Sequence, residues 1–208
     1  MIILQKTPGF QMGEKINEAA IAKLFNCSVT PVREAINMLR QAGLIIGDSY
    51  QSSSIVKFSP KDAEDLFDIR KCLEVWAFQK AFPLLTEEDL VALSLAQSHY
   101  QQAYEIFDEN AIIRCNWEFH DIILCRANNK YLREGINSLI DRISMVRAPV
   151  PQHKKNMGTQ EDLLLPVREH RTILARIQAN DFDGATVALI KHLDRVKSEA
   201  LEMLATTS

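Results

Sequence analysis

The chain has no apolar run long enough to span a bilayer, and its N-terminus lacks the basic, apolar and small-residue succession of an export signal. A cytoplasmic location is therefore expected. A surplus of basic residues is also missing: the formal charge at pH 7 is −3 over 208 residues. That excludes a protein coated with nucleic acid over its whole surface and leaves room only for local contact. The four cysteines, Cys27, Cys72, Cys115 and Cys125, form no CxxC pair and fall mostly on apolar helical stripes. Buried reduced thiols are expected, rather than disulfides or a thiolate metal site. No internal repeat, low-complexity segment, phosphate-binding loop or nucleophile–base pair is present. What is there is enough apolar residue for a substantial core, in one large or two small domains.

The charge is unevenly placed. Residues 1–60 carry six basic side chains (Lys6, Lys15, Lys23, Arg33, Arg40 and Lys57) against four acidic ones (Glu14, Glu18, Glu34 and Asp48), a charge of +2 that leaves −5 for the rest. A mildly basic head on an acidic body fits a DNA-binding module joined to something else. Residues 1–11 are apolar and broken by Pro8-Gly9. Residues 18–25 then read as a short helix with Ala19, Ile21, Ala22 and Leu24 apolar, and Asn26-Cys27 as a tight turn. The next helix is capped around Ser28 and Thr30, has Pro31 in its first turn, and runs to about Gln41, where Gly43 ends it in a left-handed cap. At about 100° per residue, Val32, Ala35, Ile36 and Leu39 form its buried stripe, and Thr30, Arg33, Asn37 and Arg40 face outward. Two helices so joined form a helix-turn-helix candidate. Ile45-Ile46 and residues 54–58 read as strands around a polar turn, residues 47–53, and so complete a winged helix.

From Ser59-Pro60 onward every segment has helical period. Leu66, Ile69, Leu73, Trp76 and Ala77 stripe one helix; Thr86 caps another, carrying Leu90, Leu93, Tyr100 and Tyr104. Further helices are expected over residues 109–127, 130–147, 165–178 and 182–204, with Pro149 and Pro151 stopping the second of these and residues 152–160 forming a loop. The expected class is mainly α: a winged helix-turn-helix over residues 1–58, then an antiparallel bundle of about six or seven helices over residues 59–208.

Chemistry in the bundle gathers on three histidines. Asn116 and His120 are four apart and so share one helix face, while His170 and His192 each stand on the apolar stripe of a later helix. Three inward-facing imidazoles on three helices favour a shared metal over three separately satisfied core residues, since imidazole suits zinc, nickel, copper or iron. His99 and His153 are assigned to surface and loop. Glu118 and Glu169 adjoin histidines, but neighbouring helical positions point about 100° apart, so both are expected to face solvent.

Gly13-Glu14-Lys15-Ile16-Asn17-Glu18, Ile21-Ala22, the run Ser28-Val29-Thr30-Pro31-Val32-Arg33-Glu34-Ala35-Ile36, Leu39 and Gly43-Leu44 resemble the head domain of GntR-superfamily transcriptional regulators. The resemblance implies DNA contacts from Ser28, Thr30 and Arg33, to which the outward face adds Asn37 and the wing adds Ser53. Two positions depart from the family pattern: Val29 stands where an arginine is usual, and Ser53 where the wing usually has glycine. An arginine there would read a guanine edge, whereas valine offers only an apolar contact such as a thymine methyl.

Asp68-Ile69-Arg70 with Leu73-Glu74, Phe119-His120, Ala127-Asn128-Asn129, Glu169-His170 and His192-Leu193 similarly resemble the FCD effector domain of the FadR-type subgroup. That resemblance implies Asn116, His120, His170 and His192 as ligands of a divalent metal ion, zinc foremost, with nickel, manganese or iron as alternatives. It also implies a small organic-acid effector whose carboxylate meets the metal. Asparagine in place of the commoner aspartate leaves the site more positive. Arg70, Arg142 and Arg147 are candidates for a second clamp on the acid; for Arg70, a structural pair with Glu74 at i+4 is an equal expectation. The function implied is a ligand-responsive regulator that binds double-stranded operator DNA as a homodimer. The alternatives are a metal-dependent enzyme or a metal sensor built on the helical domain.

Overall fold

The computed structural model describes residues 12–47, 53–147 and 163–207. Pro8-Gly9, the tip of the expected wing, Pro149, Pro151 and the expected loop at residues 152–160 with His153 lie outside the described residues.

The head begins with α1 (Glu18–Leu24), which Asn17 caps by accepting the Ala20 amide at 3.0 Å. Asn26, with φ of 51°, turns the chain tightly into α2 (Val29–Gln41). Gly43 ends α2 with φ of 72°, and the amides of Gly43 and Leu44 close its last turn on the carbonyls of Arg40 and Leu39. Val32 and Ile36 meet Ala22 and Ile45 in a small core. Ala35, expected on that stripe, is exposed instead. It stands on the wall of a cleft facing the body, so the inward face of α2 is narrower than its apolar pattern.

β1 (Ile45–Ile46) and β2 (Ser54–Ile55) pair antiparallel, Ile45 with Ile55 and Ile46 with Ser54. The second strand is shorter than its apolar run because the chain beyond Val56 carries Phe58 into the body core. So short a hairpin is marginal alone, and its other edge is covered. The amides of Gly13 and Ile16 donate to the carbonyls of Ile55 and Ser53, at 3.0 and 2.8 Å.

The body consists of α3 (Pro60–Ala81), a 3₁₀ turn (Phe82–Leu84), α4 (Glu87–Glu105), α5 (Glu109–Arg126), α6 (Lys130–Val146), α7 (Leu165–Gln178) and α8 (Phe182–Thr207). Each early helix has a local reason to start. Ser59 with Asp62 and Thr86 with Asp89 form capping boxes, and Asp108 and Asn129 accept from the amides of Ala111 and Leu132. Phe78, Leu93, Phe119, Ile173 and Leu189 centre one core cluster, and Phe67, Ile143, Val146 and Val196 another.

The buried face of α3 differs from the sequence expectation. Ile69 and Trp76 are exposed, at 45% and 41% of their surface. The face turned inward is Ala63, Leu66, Phe67, Arg70, Glu74, Ala77, Phe78 and Ala81. An apolar count rejects that face because two charged residues sit at its centre, yet they neutralise each other inside. The cysteines also depart from expectation: Cys115 is buried, but Cys27, Cys72 and Cys125 are exposed, and all four are free thiols. Among the described residues no helix is long and apolar enough to cross a membrane.

Candidate metal centre and DNA-contact surface

On the head, Ser28 stands before α2 with its hydroxyl unused as a cap, and Thr30, Arg33 and Asn37 are all exposed. Arg33 Nε donates to Glu18 Oε2 at 2.7 Å, an ion pair across the two helices with both partners open to solvent. Arg40 ties helix to hairpin: its guanidinium donates to Asn37 Oδ1, to the Gly47 carbonyl at 2.8 Å and to Ser53 Oγ at 3.0 Å. Asn37 and Ser53 are thereby brought onto one surface. Val29 is half-buried and packs with Ile16, Ile21 and Leu39 on the head core.

In the body, α5 contributes Asn116 and His120, α7 contributes His170 and α8 contributes His192, every one buried. One ring nitrogen from each histidine lies within 4.8 Å of the others. Nε2 of His170 and Nε2 of His192 are 3.3 Å apart. Two of the rings are oriented by carboxylates. Nδ1 of His120 lies 2.7 Å from Glu74 Oε2, and Nδ1 of His192 lies 2.8 Å from Glu169 Oε2. A carboxylate at Nδ1 places the proton there and leaves the Nε2 lone pair for the shared centre. His170 is held differently, stacked between Tyr100 and Phe119 with ring centroids 4.6 and 4.5 Å away.

The donor set fits a divalent cation. Asn116 Oδ1 and His120 Nε2 are buried without a hydrogen-bond partner. An unpaired buried acceptor costs about 1–3 kcal/mol, and one cation would satisfy the amide oxygen and the imidazole nitrogens together. Among the described residues, His120, His170 and His192 are the one group of three or more histidine, cysteine or carboxylate side chains that converges in this way.

Glu74 and Glu169 hold two of the histidines, a role the sequence reading did not assign them. For Glu74 the local signal is its charged pair with Arg70, four residues earlier and beside the apolar stripe. Glu169 was expected to face solvent, but a turn of 100° from His170 places it at the α7–α8 seam. There it meets His192 and, at 2.7 Å, Arg195 Nε, while Nη1 of the same guanidinium holds Glu199. Glu118 and His99 are exposed, as expected.

The electrostatics favour neutral His170 and His192 and an ionised Glu74. Burial pushes His170 well below the usual histidine range, and the charges of His120 and Arg147 push it further. Burial lowers His192 as well, helped by His170 and His120. Burial alone would raise the Glu74 carboxyl, but Arg70 and then His120 outweigh it and hold it at about 2. For Glu169 burial wins over Arg195, and its carboxyl is raised.

These shifts set a pH dependence for the metal-free protein. The unfolded histidines take up protons near pH 6.5 while folded His170 and His192 do not, so stability is lost as pH falls below that value. Each group contributes a slope of about 1.4 kcal/mol per pH unit until its own low folded value is reached. Glu74 adds to the loss only below about pH 4.5, where an unfolded glutamate protonates. Glu169, being raised, acts in the opposite sense within the carboxylate range. Calorimetric melting in chelator should therefore show a falling Tm from pH 7.5 to 5.5; a level profile would contradict the buried neutral histidines.

The three candidate arginines separate. Arg70 Nε donates to Glu74 Oε1 at 2.6 Å, and its guanidinium lies 4.6 Å over the Trp117 ring, yet Nη2 is buried without a partner. It therefore forms the structural pair and still has a donor to spare. Arg147, half-buried at the end of α6, lies close enough for its charge to act on His170. Arg142 does not join them: its Nε donates to the Ala42 carbonyl in the head at 3.1 Å, because its position on α6 faces the end of α2.

Residues 65–195 match the FCD domain, and residues 6–51 match the bacterial regulatory proteins of the gntR family. The chain is 27% identical over 186 residues to the HTH-type transcriptional regulator YdhC of Bacillus subtilis, covering 89% of this chain and 80% of that protein. It is 23% identical to the Nta operon transcriptional regulator of Aminobacter aminovorans, covering 94% and 88%. Among solved structures, McbR/YncC of E. coli superposes with a TM-score of 0.78 at 24% identity, covering 93% and 89%. The metal-free FCD domain of TM0439 superposes with a TM-score of 0.59 at 20% identity, covering 72% and 99%. At these identities the structures show a shared fold, while the named relatives are transcriptional regulators and not enzymes, which removes the enzyme alternative. A gntR-type helix-turn-helix followed by an FCD domain over more than half its length makes this chain a member of the GntR family of bacterial transcriptional regulators, in its FCD-containing branch.

Proposed function

We propose that this regulator binds operator DNA as a symmetric dimer and responds to a small organic acid that meets a divalent metal, zinc foremost, held by His120, His170, His192 and Asn116. The observation that carries the reading is the buried convergence of three imidazole nitrogens within 4.8 Å beside the unpartnered Asn116 Oδ1. We place the division between head and body at residues 58 and 59. Ser28, Thr30, Arg33, Asn37 and Ser53 form the DNA-facing set.

A bound ion supplies fixed positive charge and open positions for a carboxylate. The chain's own residues do the rest. Glu74 and Glu169 fix the tautomers of His120 and His192, and burial keeps His170 and His192 unprotonated and able to donate lone pairs. The spare Nη2 of Arg70 and the charge of Arg147 serve a carboxylate entering beside the histidines. Because Asn116 is neutral, the site keeps more positive charge than an aspartate would leave, which favours an anion.

Thermal melting with zinc chloride, with citrate, and with both tests the reading. Zinc at a hundredfold excess over its dissociation constant should stabilise by about 2.7 kcal/mol, or roughly 5–10 °C for a chain of this size. Organic acids should add a further shift only when zinc is present. An acid that shifts the melting equally in chelator, or in a His192→Ala variant, would refute a metal-borne effector site.

A further inference from the structure

α6 carries a contact that the metal and DNA surfaces leave unused. Arg142 is half-buried near its end and donates from Nε to the carbonyl of Ala42, the residue that caps the C-terminus of α2. The last carbonyls of a helix lack internal partners and carry partial negative charge, so a guanidinium is well matched to them. The fit is close: a β-carbon added at Gly43 would come within 2.5 Å of Arg142 Nη2. Gly43 is thus required by its positive φ, while the guanidinium beside it is the mobile end of a flexible side chain.

The apolar face of α2 toward the body borders open space. A mainly apolar cleft of about 840 Å³ separates Ala35, Ile36 and Leu39 of α2 from Ile113 and Trp117 of α5 and Ile140 of α6. Head and body are joined covalently through Phe58, which packs into the core beside Ile143 and Val146, with Met12 and Val56 of the head against the same cluster. A domain attached at one edge and open at the other can swing unless a second contact fixes it.

We propose that Arg142 is that contact: a positioning residue on α6 that fixes the recognition helix against the body. α6 also packs, through Ile143 and Val146, on the cluster that holds Val196 of α8 and Trp117 of α5, so one helix carries both the latch and a face packed on the histidine-bearing helices. The coupling part of the proposal rests on the metal-bound reading above; the positional part does not. Ile143 and Val146 are buried against α3 and α8, so a displacement of α8 at His192 is carried through them to Arg142, one turn or less away.

The exposed thiols supply the test. Spin labels on Cys27 in the head and Cys125 in the body, in a Cys72→Ser background diluted with unlabelled protein, report the head-to-body distance within one protomer. Arg142→Ala should broaden a single narrow distance distribution, and Arg142→Lys should restore part of it. Zinc affinity in Arg142→Ala should stay within about twofold of the parent, while operator affinity falls about fivefold or more and ceases to respond to zinc with citrate. An equally narrow distribution in Arg142→Ala overturns the latch. Zinc titration of the parent protein decides the metal reading separately, so failure of one is not mistaken for failure of the other.

Discussion

Arg33→Ala should weaken operator binding about 100-fold in fluorescence anisotropy at fixed salt, with little change in melting temperature. Each arginine contact to a base edge or its flanking phosphate is worth roughly 1–3 kcal/mol, and a symmetric dimer makes it twice, giving about 3 kcal/mol or more. In the free protein Arg33 pairs with Glu18 at 2.7 Å, but both are well exposed, with side-chain exposures of 68% and 36%. Exposed pairs contribute about 0–1 kcal/mol. Giving up that pair to reach DNA is therefore cheap, and losing it should barely affect folding. Unchanged operator affinity would remove α2 from the DNA surface.

Glu74→Ala should lower stability by about 3–5 kcal/mol and metal affinity by about 10- to 100-fold. Glu74 is almost wholly buried and holds two partners at once, Arg70 at 2.6 Å and His120 at 2.7 Å. Its removal strands a guanidinium in the core and leaves the His120 ring without the group that sets its tautomer. Glu74→Gln, which keeps the shape but not the charge, should fall between. Chemical denaturation and zinc titration read the two effects; a change below about 1 kcal/mol would show that the pair is solvated.

The helical plan was legible because local chemistry marks it: Ser59 with Asp62, Thr86 with Asp89 and Gly43 each start or stop a helix within one residue of expectation. The inward histidines were legible for the same reason, since each lies on an apolar stripe whose direction is fixed by helical period. What escaped was set across helices. Glu169 finds His192 on α8 and Glu74 finds His120 on α5, and no spacing along one helix encodes such a meeting. Hydrophobic counting also misplaced the inward face of α3, since Arg70 and Glu74 look like surface residues until their mutual neutralisation is visible. Arg142 was placed with the effector arginines by type, but its direction from α6 carries it to Ala42 instead.

The central claim is that His120, His170 and His192 together hold a divalent ion. Zinc titrated calorimetrically into chelator-stripped protein, beside a His120→Ala/His192→Ala variant, tests it directly. Uptake of one ion per chain by the parent protein and none by the variant is the predicted result; equal uptake by both would contradict it.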